Sequence, residues 1–298
     1  MTEKNLASSG ITPPARKNGY VSNPHPVFTV PDNIQSRPAF IRAAIKQASS
    51  VDVARSEIFY TVQPIRPDTL LPVHRQRRMN EHRAAAVRAL IEAIIFHLNI
   101  ATGMVHASVS KLSDECGLTA HSEAGNASIS RCCRAILHLE QYGVLRCQKV
   151  WDRIAGMYIP KIIEVTELFF TMIGLEQGKY EAAQRQQLGW INQGLLEKGD
   201  DPITLTEARR RAREQHIHRA LEHRKNTHHI KTQQKKARLL MEKEEAEARS
   251  EILAGLVVHY SKEELQTMGH AELKKQVSKI YYQLRKLAAM PPPDTPVH

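Results

Sequence analysis

The sequence predicts a mostly α protein (α+β), and three observations carry that prediction. Only 5% of its 298 residues are aromatic, too few for the cross-strand aromatic pairs of an all-β sandwich or barrel. Apolar residues recur at helical spacing, most plainly at Val87, Leu90, Ile91, Ile94, Ile95 and Leu98, which share one face of a helix. Two boxes of the Ser/Thr-x-x-Glu type, Thr204 to Glu207 and Ser261 to Glu264, mark helix starts in the second half of the chain.

The elements follow in order. Residues 1–36 hold Pro13, Pro14, Pro24, Pro26 and Pro31. Proline fixes φ and biases its predecessor away from helix, so this reads as a flexible, extended arm. Residues 37–75 read as a short helix at 39–49 and an irregular connection through Pro64, Pro67 and Pro72, leading into the basic run Arg75-Gln-Arg77-Arg78. The striped helix comes next, with Arg83, Arg88 and Glu92 on its other face, then a short strand at 104–106. Ser110 is placed to cap a helix that Gly117 ends in the left-handed conformation. After a polar connection, Ser128 is placed to cap a longer helix to residue 142, with Ile129, Cys133 and Ile136 inward and Arg131, Arg134 and His138 outward. Two β-rich stretches, 144–151 and 157–165, are joined by a Gly-containing loop of hairpin length, and a helix at 167–175 closes the unit.

Helix, strand, helix, helix, hairpin, helix is the order of a winged-helix domain, here at 76–175, with a helix-turn-helix at its centre and the hairpin as its wing. Residues 176–203 read as a connecting helix and a linker broken at Gly194 and Gly199. Residues 204–290 read as a basic, largely helical C-terminal module, with a second, diverged winged helix as the alternative, and 291–298 as a disordered tail.

Charge suggests the partner. Lys and Arg number 42 against 31 Asp and Glu, a net charge of +11. The excess lies in two patches. Residues 205–241 hold 11 Lys and Arg against three acids, and residues 75–88 hold five against one. Such patches suit a polyanion, and double-stranded DNA is the expected one. Arg131 and Arg134 are the candidates for reading guanine edges, flanked by Ser128, Ser130 and His138. Lys149, Arg153 and Lys161 are placed on the wing to reach phosphates or the minor groove. Arg75, Arg77, Arg78, Arg209, Arg210, Arg211, Arg213, Lys235 and Lys236 are the candidates for sequence-independent phosphate contacts.

Other classes find less support. The longest apolar run, residues 89–96, is interrupted by Glu92 and falls far short of the ~20 residues of a membrane span. The polar N-terminus lacks the apolar core of a signal peptide. Cys116, Cys132, Cys133 and Cys147 form neither a disulfide framework nor a Cys-x-x-Cys pair, so buried small side chains in a cytoplasmic protein are expected, with no metal and no cofactor. No P-loop or Gly-rich dinucleotide motif is present. His216-Ile-His218 with Tyr281 and Tyr282 is reminiscent of rolling-circle endonucleases. In a helix, however, residues i and i+2 diverge by about 200° and do not share a metal, so a non-enzymatic protein is expected. A transcriptional repressor is the runner-up.

Several motifs in order, Asn23-Pro-His-Pro-Val-Phe-Thr29, Phe96-His97, Glu115-Cys-Gly-Leu118, Ser128-Ile-Ser130-Arg131, Tyr142-Gly-Val-Leu145 and Gly156-Met-Tyr-Ile-Pro160, resemble the RepA replication initiators of IncFII-type plasmids. The resemblance covers roughly residues 20–175; beyond that only the basic, helical character matches. It implies a non-enzymatic initiator that binds its plasmid's own origin, helps to open it, and recruits host replication proteins, the replicative helicase and in many cases DnaA. It also implies that Ser128 and Arg131 begin the recognition helix and that residues 156–160 form the return strand of the wing. The 117–127 connection is longer than the usual helix-turn-helix turn of about three or four residues, a departure that the family shares.

Overall fold

The computed structural model describes residues 21–290 apart from 76, 123–125, 149–150, 153–156, 159–160 and 261. Helix α1 (Ala39–Ser50) starts after Pro38 and buries Ile41, Ala44, Ile45 and Ala48, an i, i+3, i+4, i+7 stripe laid against the central helix. A one-turn helix, α2 (Ile58–Thr61), follows, and a bridge between Ile65 and Pro72 closes the irregular connection. Helix α3 (Glu81–Phe96) is capped by the Asn80 side chain, which accepts from the Arg83 N–H at 2.9 Å.

α3 is enclosed more fully than its stripe predicts. Ala84, Ala86, Ala89 and Ala93 are buried as well as Val87, Leu90, Ile91, Ile94, Ile95 and Phe96, because alanines on the flanks let neighbouring elements approach closely. What remains of a polar face is Arg83, Arg88 and Glu92, all half-buried. Arg88 is held by Asp52 at 2.8 Å and by Glu81.

The expected strand at 104–106 is reduced to single bridges, Leu98 to Val105 and Met104 to Glu164. Helix α4 (Val109–Glu115) is capped by Ser108, whose side chain accepts from the Lys111 N–H at 3.1 Å. The cap is therefore not Ser110, which lies inside the first turn; a cap needs the extended backbone found at Ser108. Gly117 follows with φ of 62°, as the motif requires. The long connection then folds on itself as a ribbon of β1 (Ala120–His121) and β2 (Ala127–Ser128). Ser128 is thus a strand residue and not a cap. Buried Ile129 takes the N-cap position of α5 (Ser130–Gln141), with no side-chain cap bond.

α5 buries Cys132, Ala135, Ile136 and Leu139. The inward stripe therefore passes through Cys132, whereas Cys133, expected inward, is half-buried. The hairpin forms as predicted. Strand β3 (Leu145–Gln148) pairs antiparallel with β6 (Ile162–Val165), Leu145 opposite Val165, and the shorter β4 (Trp151–Asp152) pairs with β5 (Met157–Tyr158). Helix α6 (Glu167–Met172) contributes Phe169, Phe170 and Met172 to the core. Helix α7 (Gln177–Leu196) passes through Gly194 unbroken, so the linker begins only at its end. There the Asn192 amide brackets Ile203, donating to its C=O at 3.1 Å and accepting its N–H at 2.8 Å.

The Pro-containing segment from residue 21 onward is not a loose arm. Phe28 is buried with its ring 5.7 Å from that of Phe96. The Thr29 N–H donates to Glu115 O at 3.1 Å, and the Asn23 amide donates to Gly117 O at 3.0 Å. An apolar anchor and paired backbone groups overcome the extended local preference of the prolines.

The described residues beyond Thr204 form long helices joined by short connections. Helix α8 (Leu205–Met241) runs for 37 residues from the Thr204 cap, whose hydroxyl accepts from the Glu207 N–H. Helices α9 (Glu245–His259) and α10 (Lys262–Ala289), the latter kinked at Gly269, pack a small second core of Ala248, Ile252, Val277 and Tyr281 against Leu240 and Met241. No strand follows Val165 among the described residues. A winged helix needs a hairpin, so the alternative of a second one is corrected to a three-helix arrangement of the described residues. Ser261, the expected second cap, and residues 291–298 lie outside the described residues. Among those described, no helix is long and apolar enough to cross a membrane.

Candidate nucleic-acid interface

With Cys132, Ala135, Ile136 and Leu139 facing the core, the 100° step of a helix puts Ser130, Arg134 and Leu137 on the far side of α5 and Arg131 and His138 on its flank. Ser128, Ser130 and Arg134 are exposed. Arg134 Nε donates to Ser130 O at 3.2 Å, which lays its guanidinium along the start of the helix.

Arg131 is not free in the way its spacing suggested. Its guanidinium donates to Asn23 O and, at 2.9 Å, to His82 O, pinning the N-terminal segment and the first turn of α3 to α5. Partial burial, reinforced by neighbouring Arg134, lowers its pKa from the ordinary arginine value. His138, expected outward, is buried at 3% exposure. Its ring stacks on Phe59 at 5.3 Å, and Arg75 reaches its Nδ1 at 2.6 Å. Burial, then Arg75 and Arg83, push its pKa down to about 3.

Arg75 also donates to Gln141 and lies over the Tyr142 ring at 5.6 Å, so it packs the basic run against α5. Arg77 and Arg78 stay exposed, and Arg78 lies over the Tyr60 ring at 5.5 Å. Sequence reasoning missed Arg83, which it grouped with Arg88. Arg83 stands beside Arg75 and Arg134, and burial together with those two cations lowers its pKa. No carboxylate pairs with Arg83 or Arg134 among the described residues. The missed signal was register: Arg83 lies in the first turn of α3, next to the basic run, while Arg88 lies within reach of Glu81.

The remaining candidates separate into paired and open groups. Lys161 is half-buried and 3.5 Å from Glu140, so it joins the hairpin to α5. Lys149 and Arg153 lie outside the described residues. On α8, Arg210 pairs with Glu207 at 2.7 Å and Glu214 at 2.6 Å, and Arg211 with Glu207 at 2.9 Å. Few as they are, the acids of α8 thus neutralise part of this run. Glu207, set by its place in the capping box, serves two arginines and is pulled down to about 2 by them. Arg213 reaches Glu164 of β6 at 2.7 Å. Arg209, Lys235 and Lys236 are exposed and have no carboxylate partner among the described residues.

Cys116 and Cys132 are buried and Cys133 and Cys147 half-buried, all as free thiols. Burial pushes Cys116 and Cys147 up to about 12. His216 and His218 lie on α8, while Tyr281 is buried and Tyr282 exposed. Among the described residues no group of three or more His, Cys, Asp or Glu side chains is arranged to hold a metal ion.

Two buried histidines set an acid limit on this region. His97 is 5% exposed with Nε2 2.6 Å from Glu115, and burial depresses its pKa more than Glu115 raises it. Both His97 and His138 are held below the ordinary 6.5, so below that pH the unfolded chain takes up protons that the folded chain refuses. Their stabilisation is complete above pH 6.5 and is lost as pH falls towards the folded values, His138 alone accounting for about 2 kcal/mol by pH 5. Thermal melts at pH 7.5 and pH 5 test this: the midpoint should fall at pH 5, and an unchanged midpoint contradicts it.

Comparison with known proteins adds the context. The model of the IncFII RepA protein family matches residues 16–289. A probable replication-associated protein repA1 of Buchnera aphidicola subsp. Schizaphis graminum (strain Sg) is 46% identical over 279 residues, 93% of this chain and 99% of its own. A probable replication-associated protein repA2 of the same strain is 36% identical over 273 residues, 91% and 97% of the two chains. A replication initiation protein of Escherichia coli is 30% identical over 187 residues, 63% of this chain and 64% of its own. No solved structure matches the chain.

Proposed function

The chain belongs to the IncFII RepA protein family, and from that premise we propose that it initiates plasmid replication by binding duplex DNA sequence-specifically at the origin. In this reading it promotes opening of an adjacent segment and recruits host replication proteins, DnaA and the replicative helicase, without a catalytic step of its own. The observation that carries the reading is the arginine surface where α3, the basic run and the start of α5 meet, with no carboxylate pairing Arg83 or Arg134 among the described residues.

α4, the ribbon connection, α5 and the hairpin act as a winged helix in this reading. α5 enters the major groove with Ser130 and Arg134 towards base edges. Arg134 is the reader, because a guanidinium fork spans guanine O6 and N7. Arg77, Arg78 and Arg83 meet phosphates beside it, and the hairpin lies over the neighbouring backbone. Arg131 acts indirectly, by holding α5 against α3 and the N-terminal segment.

The open cations of α8 supply affinity without sequence preference. Replacing Lys235 and Lys236 with alanine should flatten the slope of log affinity against log salt by about two. Replacing Arg210 and Arg211 should change it less, since acids already neutralise them. Titrations at several salt concentrations measure both slopes, and equal changes contradict the assignment. The function itself is tested with an origin-bearing plasmid that lacks this gene. Replication only when the protein is supplied, with a footprint on the origin, is the expected result. Repression of a promoter without replication would make the protein a repressor, and a covalent link between Tyr282 and nicked DNA would make it a nuclease.

A further inference from the structure

Between the 54–79 connection and the end of α5 lies a cavity of about 290 Å³, at the lower edge of small-ligand pockets. Arg75, Arg77, Arg78, Tyr60, Tyr142 and His138 are among the residues lining it, and no Asp or Glu lines it. The guanidinium carbon of Arg78 lies over the Tyr60 ring at 5.5 Å, and that of Arg75 over Tyr142 at 5.6 Å. No carboxylate pairs with Arg78 among the described residues, so its N–H groups can donate to an anion. Tyr60 is 53% exposed, so it also presents open aromatic surface.

His138 supplies a second, independent sign. An arginine is always a donor, so the 2.6 Å contact from Arg75 makes His138 Nδ1 the acceptor. The ring is neutral, because burial and the adjacent arginines hold it so, and its one proton therefore sits on Nε2. Nε2 is buried and has no hydrogen-bond partner, although the residue is 97% buried by its 3% exposure. Buried donors without acceptors are rare in folded proteins, and this one belongs to a residue that lines a cationic, partly aromatic cavity. An acceptor oxygen or ring nitrogen from a ligand would satisfy it.

We propose that this cavity binds one nucleotide unit, with its phosphate on Arg77 and Arg78, its base against Tyr60, and an acceptor atom on His138 Nε2. The lining excludes a cationic ligand, since arginines without carboxylates would repel it. A simple inorganic anion would leave the aromatic surface unused. The unit comes either from an unpaired DNA strand or from a free mononucleotide. The site shares Arg77 and Arg78 with the proposed duplex surface, but Tyr60 and His138 belong to it alone, and it does not depend on α5 reading duplex DNA.

The full-length protein is titrated with a short fluorescent oligothymidine strand, with thymidine and adenosine mononucleotides, and with duplex origin DNA. Tyr60→Ala and Arg78→Ala are compared with the parent chain, each checked by thermal melting. Each substitution should weaken nucleotide binding by about tenfold, as the loss of one stacked base or one phosphate contact does; Tyr60→Ala should change duplex binding far less, whereas Arg78→Ala, which also removes a proposed duplex phosphate contact, should lower both. Binding of the strand but not the mononucleotides identifies the source as unpaired DNA; the reverse identifies a free nucleotide; and either supports the site. Binding of neither probe, nucleotide affinity unmoved by both substitutions, or an equal loss for duplex and nucleotide in Tyr60→Ala overturns it. Failure of duplex binding alone, with nucleotide binding retained, would count against the proposed origin recognition and not against this cavity.

Discussion

Arg134→Ala should lower affinity for the origin duplex by about five- to a hundredfold and relax the preference at one base pair, the loss expected when a bidentate guanine contact disappears. Folding is left nearly intact, because Arg134 is exposed and bonds only to a carbonyl of its own helix. Arg131→Ala behaves differently. It removes charge-assisted hydrogen bonds to Asn23 O and His82 O, so stability falls by about 1.5–3 kcal/mol, and sequence preference among the surviving folded molecules stays the same. Binding measured against a panel of single-base variants of the site, alongside denaturant melts, separates the two. If Arg131→Ala relaxes the preference and Arg134→Ala does not, the reader has been misplaced by one turn.

Leu90→Ala costs about 2–5 kcal/mol, through lost transfer free energy and a cavity that cannot collapse. Leu90 is fully buried at 0% exposure, with Val87, Ile91 and Ile94 equally so around it. Because α3 is enclosed by α1, α4 and α5, no single layer can close over the gap. The loss should appear as a lower denaturant midpoint with an unchanged m-value. A cost below about 1 kcal/mol would mean that this helix is less central than its burial implies. Many domains have only about 5–15 kcal/mol of net stability, so the variant should also bind origin DNA poorly at elevated temperature.

Element order was legible in the sequence because it depends on local signals. The α3 stripe, Gly117 at a helix end, the hairpin and the Thr204 box all act within a few residues of themselves. Side-chain direction was less legible. Arg131, Arg134 and His138 share one arc of a helical wheel, and only the choice of Cys132 over Cys133 as inward decides which of them faces solvent. That choice is made by α3 and α4, distant in sequence. Ser110 and Ser128 were plausible caps by type, but Ser108 won at the first because its backbone is extended, and strand pairing took the second. The docking of residues 21–31 depends on Phe28 meeting Phe96, a contact that no local pattern announces. Arg83 was hidden for a similar reason: its neighbours Arg75 and Arg134 come from other elements, and nothing in the spacing of α3 distinguishes it from Arg88.

α8 has one more consequence. It is unbroken for 37 residues, about 55 Å at 1.5 Å per residue. Near its start it is fastened to the hairpin through Arg213 and Glu164, and near its end Leu240 and Met241 join the second core. A helix fastened at both ends transmits rotational phase as well as distance. One residue inserted midway would turn the second core by about 100° relative to the arginine surface, whereas seven would restore its bearing to within about 20° and add only ~10 Å. The angle between the arginine surface and the second core is therefore written in the residue count of one helix.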